Sequence, residues 1–583
     1  MVVSNPMEPP QQSDKEPLPT PIADKRKRHP RAANYPRKRA TRACATCRLR
    51  RTKCDNSRPS FDPASLAILK RIDDLESLVK ARTSDAASPF APSKILASSA
   101  SPLIPFADIA SPSPSLSSPV GDQQMQWKPC FINIDEVLKW PVFLDHQDLE
   151  QRLRRLAPLE EEEDNNSQPE LPISIVLDFN AADRLLGSFF RNVHIFNPTL
   201  KEDNIREHVK NALFKGIGWD AMSCLLNTHQ LLIYAHGLIA TPFTMDRQGT
   251  SSSSFRQSKE FLQAESYFRS AQMRMGMLLC KSGTIEAQCF FLAGVYLMST
   301  LRPVGAWRMF VQALACCQGF FIHQTSDYDE DWDTKQRIYW TCLKSELELR
   351  LELNLPQEKA LDLSYPSFFP SPPEGLKSED EAAWYFYLAE IALRRLKNRI
   401  LGYLYQHDAT NPESNMEEVI LDFEAQADAW LRSLPPSLAL NTDVPNKDQY
   451  QPFRFILSGH FLDCQETIYW HFLVETMHGR VHGNRNNFLQ KGLQVCLDRV
   501  HQNHTGFYHR HHGTWLMLRS CTRSAFVLLA AERRVELVPF LPIGWQEAVF
   551  EVSKMLAFWK DESRDVAELF AILQTLLEAR EQQ

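Results

Sequence analysis

Glycine is scarce: 20 in 583 residues, roughly half of the usual ~7% usage. A β-rich fold with many tight turns is disfavoured, and helices are favoured. Long apolar runs are also missing. The segment CFFLAGVYLM (289–298) is among the longest and stops well short of the ~20 residues that cross a bilayer. No secretory signal is legible in MVVSNPMEPPQQSDKEP, which is polar and proline-rich. A soluble intracellular protein without membrane partners, its cysteines reduced, is the expectation. Neither a phosphate-cradling GxxxxGK[ST] nor a GxSxG nucleophile elbow occurs, so no enzyme is expected.

Charge is unevenly placed. The net charge is −6, yet residues 25–58 hold 14 Lys or Arg against one acid, Asp55. A basic head on an acidic body suits nucleic-acid contact by the head alone. Residues 1–40 lack apolar periodicity and read as a disordered tail carrying KRKR (25–28) and PRKR (36–39), clusters suited to a nuclear import receptor. Residues 61–82 follow with Ile68, Ile72, Leu75 and Val79 at 4-3-4 spacing, the seam of a short coiled coil able to pair two copies through 66–79. Two heptads alone pair weakly. Residues 83–128 are a Ser/Pro/Ala-rich linker with Ser-Pro steps at 88, 101, 111, 113 and 118. Of 37 prolines, 17 precede residue 129, so the helical core lies beyond it, in 129–583.

There the pattern is helical. Segments 264–279, 285–299 and 306–322 read as helices broken at KSGT and LRPVG. WTCLKSELELRLELNLP (340–356) carries both a two-residue and a four-residue leucine spacing, and its Leu, Glu and Arg content favours helix. Glu346, Glu348 and Glu352 are taken as a partly solvated face. The tract HQNHTGFYHRHHG (501–513) reads as a polar interhelical loop, and His194 as a satisfied helix-end or core residue. The fold class is all-α.

Candidate chemistry sits in RACATCRLRRTKCD. Cys44-x2-Cys47-x6-Cys54 lets one turn aim two thiolates at a metal and about two helical turns return the third. Arg48, Arg50, Arg51 and Lys53 lie between Cys47 and Cys54, placed to meet phosphates and guanine edges. This stretch resembles the first half of the motif in fungal Zn2Cys6 binuclear-cluster transcription factors. The resemblance implies Zn2+ on Cys44, Cys47 and Cys54, and contact with CGG-type half-sites by Arg50 and Arg51. FFRNVHIFNP (189–198), Ala306–Trp307 and RIYWTCLKSELELRLELNLP (337–356) resemble elements of that family's fungal-specific regulatory domain, recognisable from about residue 175. A nuclear, DNA-binding regulator of RNA polymerase II transcription is what the resemblance implies. One feature departs from it. The family needs six cysteines, but after Cys54 the next is Cys130. One ion on three thiolates would take water, Asp55 or His29 as fourth ligand. The Ser60/Phe61 junction reads as loss of a segment. A genuine truncated product and a mononuclear site stand as alternatives, as does a regulator that senses effectors through its helical domain without reading DNA.

Overall fold

The computed structural model describes residues 132–143, 179–215, 221–243, 253–322, 331–353, 355, 369–373, 376, 380–407, 416–440, 449–479 and 486–582. The chain divides into two units, Met1–Asp62 and Pro63–Gln583, and every described residue belongs to the second. The tail, the cysteine motif with Cys44, Cys47, Cys54, Arg48, Arg50, Arg51 and Lys53, the short coil and the Ser/Pro linker all lie outside the described residues.

Helix breaks in the sequence become helix ends here. All of the segment 264–279 but Leu279 lies in α5 (Lys259–Met275) and the 3-10 turn Gly276–Leu278 that follows it. Next come α6 (Thr284–Ser299) and α7 (Pro303–Ile322). Ser258 caps α5, its hydroxyl accepting from the Phe261 N–H at 3.1 Å. LRPVG ends α6 in an unusual way. Arg302 N–H donates to Leu297 O (2.8 Å) and Leu301 N–H to Met298 O (3.1 Å), the paired bonds of a Schellman motif. Its left-handed position, where glycine is the norm, is held by Leu301 with φ 57°. Burial explains the choice, because Leu301 is 1% exposed.

The apolar run 289–298 forms most of α6, and every residue from Glu286 to Ser299 is buried. A helix apolar all round belongs in a core, and α6 packs against α4 (Ala221–Ile239), α7, α8 (Trp332–Glu352) and α13 (Thr514–Glu532). On one side α4 also meets α2 (Phe179–Asn192) and α5. On the other, α9 (Glu381–His407) and α10 (Met416–Ser433) pack on α11 (Gln451–Met477). Next, α11 packs on α12 (Asn486–His504), α12 on α13, and α14 (Trp545–Trp559) on α15 (Arg564–Glu581). A single turn, α1 (Ile134–Val137), docks on α13; α3 (Glu202–Lys215) leans on α2 and α4. One apolar cluster runs from Ile134 to Leu576. Among the described residues every regular element is helical, as expected. No helix among them is long and apolar enough to cross a membrane.

Candidate functional site: an ion-paired wall beside an interior cavity

Helix α8 repeats charge at the helical period: Lys344, Glu348 and Glu352 lie four apart, on one face. That face turns inward. Lys344 Nζ donates to Glu390 Oε2 on α9, both side chains about 5% exposed or less. Arg394, one turn further along α9, donates to Glu390 (2.9 Å) and to Glu348 (2.8 Å). From α12, Arg499 reaches Asp463 (2.5 Å) and Glu466 (2.8 Å) on α11. Arg523 on α13 bonds Glu466 twice, at 2.9 and 2.7 Å, and Glu352 at 3.2 Å. Arg519 adds a 2.7 Å bond to Glu352. The expectation of a partly solvated glutamate face is therefore corrected: Glu348 and Glu352 are 18% and 11% exposed at their side chains and paired inside. Glu346 is buried as well but points in a different direction, accepting from Trp307 Nε1 at 3.2 Å.

Burial alone would raise these carboxyls, but the cations outweigh it. Lys344 and Arg394 hold Glu390 well below the usual carboxylate range. Lys397, Arg499 and Arg523 do the same for Asp463, and Arg499 and Arg523 for Glu466. Each carboxylate is thus ionised and paired. His460, between Arg394 (3.3 Å) and Glu390 (3.5 Å), is pushed down by burial and by Arg394. It is neutral at pH 7.

This wall bounds a cavity. Centres of water-sized molecules can occupy about 110 Å³ of it. Phe291, Val295 and Met298 of α6 and Phe310 of α7 form its apolar side. Lys344, Glu348, Glu390, Arg394, Asp463 and Arg499 form its charged side. A second lobe, in which the centres of water-sized molecules can occupy about 70 Å³, shares Lys344, Glu348, Arg394 and Asp463.

Glu348, His460 and Asp463 bring one possible ligand atom each to within 4.8 Å of the others. A divalent cation there would have to displace Arg394 and Arg499 from the same carboxylates, with Lys397 3.7 Å from Asp463. Like-charge repulsion in this buried setting disfavours it. The trio is an ion-pair junction rather than a metal centre.

The histidine tract is also corrected in part. Residues 505–513 do connect α12 to α13, but the connection is packed with rings rather than solvated. His509 is buried and lies 4.8 Å from Phe243 centre to centre. His511 and His512 lie 5.9 Å from Phe455 and 5.6 Å from Phe196. Burial lowers His512 to about 4. His194 behaves as expected, its Nε2 accepting from the Leu200 N–H at 3.1 Å.

The segments singled out by resemblance converge. Arg337, 2% exposed, reaches from α8 to the carbonyl of Pro198 (2.9 Å), and Trp307 meets Glu346. Sequence reading missed Lys344, Glu390, Arg394, His460, Asp463, Arg499 and Arg523. One signal was available: TWLMLRSCTRSAFVLLAAE sets Arg519 and Arg523 four apart in a helix whose one other charged residue is Glu532.

Comparison with known proteins agrees with this region. Residues 186–434 match the family described as Fungal specific transcription factor domain. A protein of Aspergillus rugulosus named "Putative transcription factor ecdB" is 24% identical over 475 residues, covering 74% of this chain and 78% of that one. The chain is thus similar to fungal transcription factors, which supports a role in transcription regulation.

Proposed function

We propose that the chain is a nuclear, sequence-specific regulator of RNA polymerase II transcription, without enzymatic activity. The observation that carries this reading is the joint presence of the basic Cys44/Cys47/Cys54 motif and the matched domain at 186–434 in one chain. The donor chemistry limits zinc. Three thiolates do not complete two tetrahedral ions, whereas one ion on Cys44, Cys47 and Cys54 with His29, Asp55 or water is chemically consistent. The basic run from Arg48 to Lys53 supplies phosphate contacts, and pairing through 66–79 would set the spacing of two half-sites.

The test is a gel shift of the full chain on a duplex bearing paired CGG triplets. Binding that falls steeply with salt and disappears with a chelator or with Cys47→Ser supports the reading. No binding at low salt with zinc supplied removes it. A second reading, regulation through the helical domain without direct DNA contact, is favoured by the missing cysteines after Ser60. Sequencing the transcript across Ser60/Phe61 decides between them: an insert with three cysteines restores the full cluster and the first reading.

A further inference from the structure

We propose that the cavity between α6, α8, α9, α11 and α13 binds a neutral, oxygenated, amphipathic small molecule. Its apolar ring or chain lies against Phe291, Val295 and Phe310, and its oxygen-bearing end meets the ion-paired wall.

Space is the first observation. Gly459 lies inside the 27-residue helix α11 and lines the cavity. Glycine within a helix destabilises it relative to alanine. Two ordinary reasons for keeping one are missing: its φ is not positive, and a Cβ built on it meets no atom within 4 Å. The absent side chain leaves room on the cavity side, where any larger residue would intrude.

Charge is the second. Three cations of the wall (Lys344, Arg394, Arg499) face three carboxylates (Glu348, Glu390, Asp463), joined in pairs that are mostly buried. An ion entering this balanced wall would have to split a pair and leave a buried charge unmatched. A neutral molecule carrying oxygens avoids that penalty.

Unused hydrogen-bonding capacity is the third. His511 Nδ1 accepts from the Gly513 N–H at 3.0 Å. Burial keeps its ring neutral, so the proton sits on Nε2. That Nε2–H, Arg499 Nε–H and Asn197 Oδ1 are buried without partners, and all three residues line this cavity. None of the three atoms exposes as much as 1 Å² to a water-sized sphere, so a ligand's carbonyl oxygen and hydroxyl group reach these two donors and one acceptor only once the lining side chains turn towards the cavity.

A fluorescent probe of that chemistry is 6-hydroxy-2-acetonaphthone, a neutral hydroxy-ketone at pH 6.5. Its anionic counterpart on the same frame is 6-hydroxy-2-naphthoate. Titrated into the full-length chain, the ketone is expected to bind saturably at one per chain, and the naphthoate at least tenfold more weakly. Gly459→Leu is expected to weaken ketone binding at least tenfold while helical content is retained. Gly459→Ala gives a smaller loss with an unchanged or raised unfolding midpoint, and so tests the site even if the leucine variant folds poorly. Gly276→Leu, at an exposed turn with equal room for a Cβ, should leave binding unchanged. No saturable binding of the ketone to the unmodified chain, naphthoate binding as tight as the ketone, or full binding by Gly459→Ala and Gly459→Leu alike would overturn the proposal. None of these readouts depends on zinc or DNA, so the proposal and the DNA-binding reading fail separately.

Discussion

The surroundings of His236 and of Glu466 show two ways of burying a polar group. His236, on α4, is 1% exposed and sits among rings, 5.8 Å from Phe189 and 5.6 Å from Tyr296. One ring nitrogen meets Leu292 O at 2.9 Å, and burial lowers its pKa to about 4. It is buried by being neutral. Glu466, on α11, is 3% exposed and stays ionised because Arg499 and Arg523 converge on it. It is buried by being paired. Neutral burial becomes unstable when protons are plentiful, and paired burial when a partner is removed.

The sharpest way to break the comparison is Glu466→Gln. Two buried guanidiniums would lose their shared counter-charge while Arg499 keeps Asp463 and Arg523 keeps Glu352, so a loss of about 3 kcal/mol, the lower end for a broken buried pair, is expected, read as a lower urea midpoint at pH 7. His236→Gln should cost less, with no residual charge.

A pH series on the unmodified chain separates the two modes by sign. For His236 the folded pKa (about 4) lies below the unfolded value (6.5), so the unfolded chain binds the extra proton between them. Its contribution is complete above pH 6.5 and lost as pH falls towards 4. The depressed carboxyls Glu390, Asp463 and Glu466 act lower, below the ordinary carboxylate pKa of about 4. Urea midpoints should therefore decline first from pH 6.5 and again below pH 4. In His236→Gln the first decline should be reduced and the second kept.

A smaller effect is expected at the end of α6. Leu301→Gly relieves a left-handed backbone worth roughly 1 kcal/mol, but removes a side chain whose burial contributes about 1.5–3 kcal/mol. A net loss of about 1 kcal/mol, measured by chemical unfolding, is the outcome. A variant more stable than the parent would mean that the strain outweighs the packing.

Helix positions were legible because their apolar spacing and breaks are local. In 340–356 the leucines fit two periods, and composition gave the right choice, since α8 runs Trp332–Glu352. The site was not legible, because its partners are remote. Arg394 lies 46 residues beyond Glu348, and Arg519 lies 167 beyond Glu352. Glutamates on a helix are usually solvated, and nothing near Glu352 in sequence announces its arginines. The histidine tract misled in the same way: Phe243, Phe455 and Phe196, the rings that cover it, come from elsewhere in the chain.

Glu562, between α14 and α15, has consequences for how the protein is made. Its carboxylate, 1% exposed, takes Arg510, and its carbonyl accepts from Arg256 at 2.6 Å across 306 residues. At ~5–20 residues per second, a ribosome delivers Glu562 about 15–60 s after Arg256. Until then Arg256 and Arg510 wait without their anchor. The contacts of Arg256 and Arg510 with Glu562 therefore form only after the segment beyond α14 has left the ribosome.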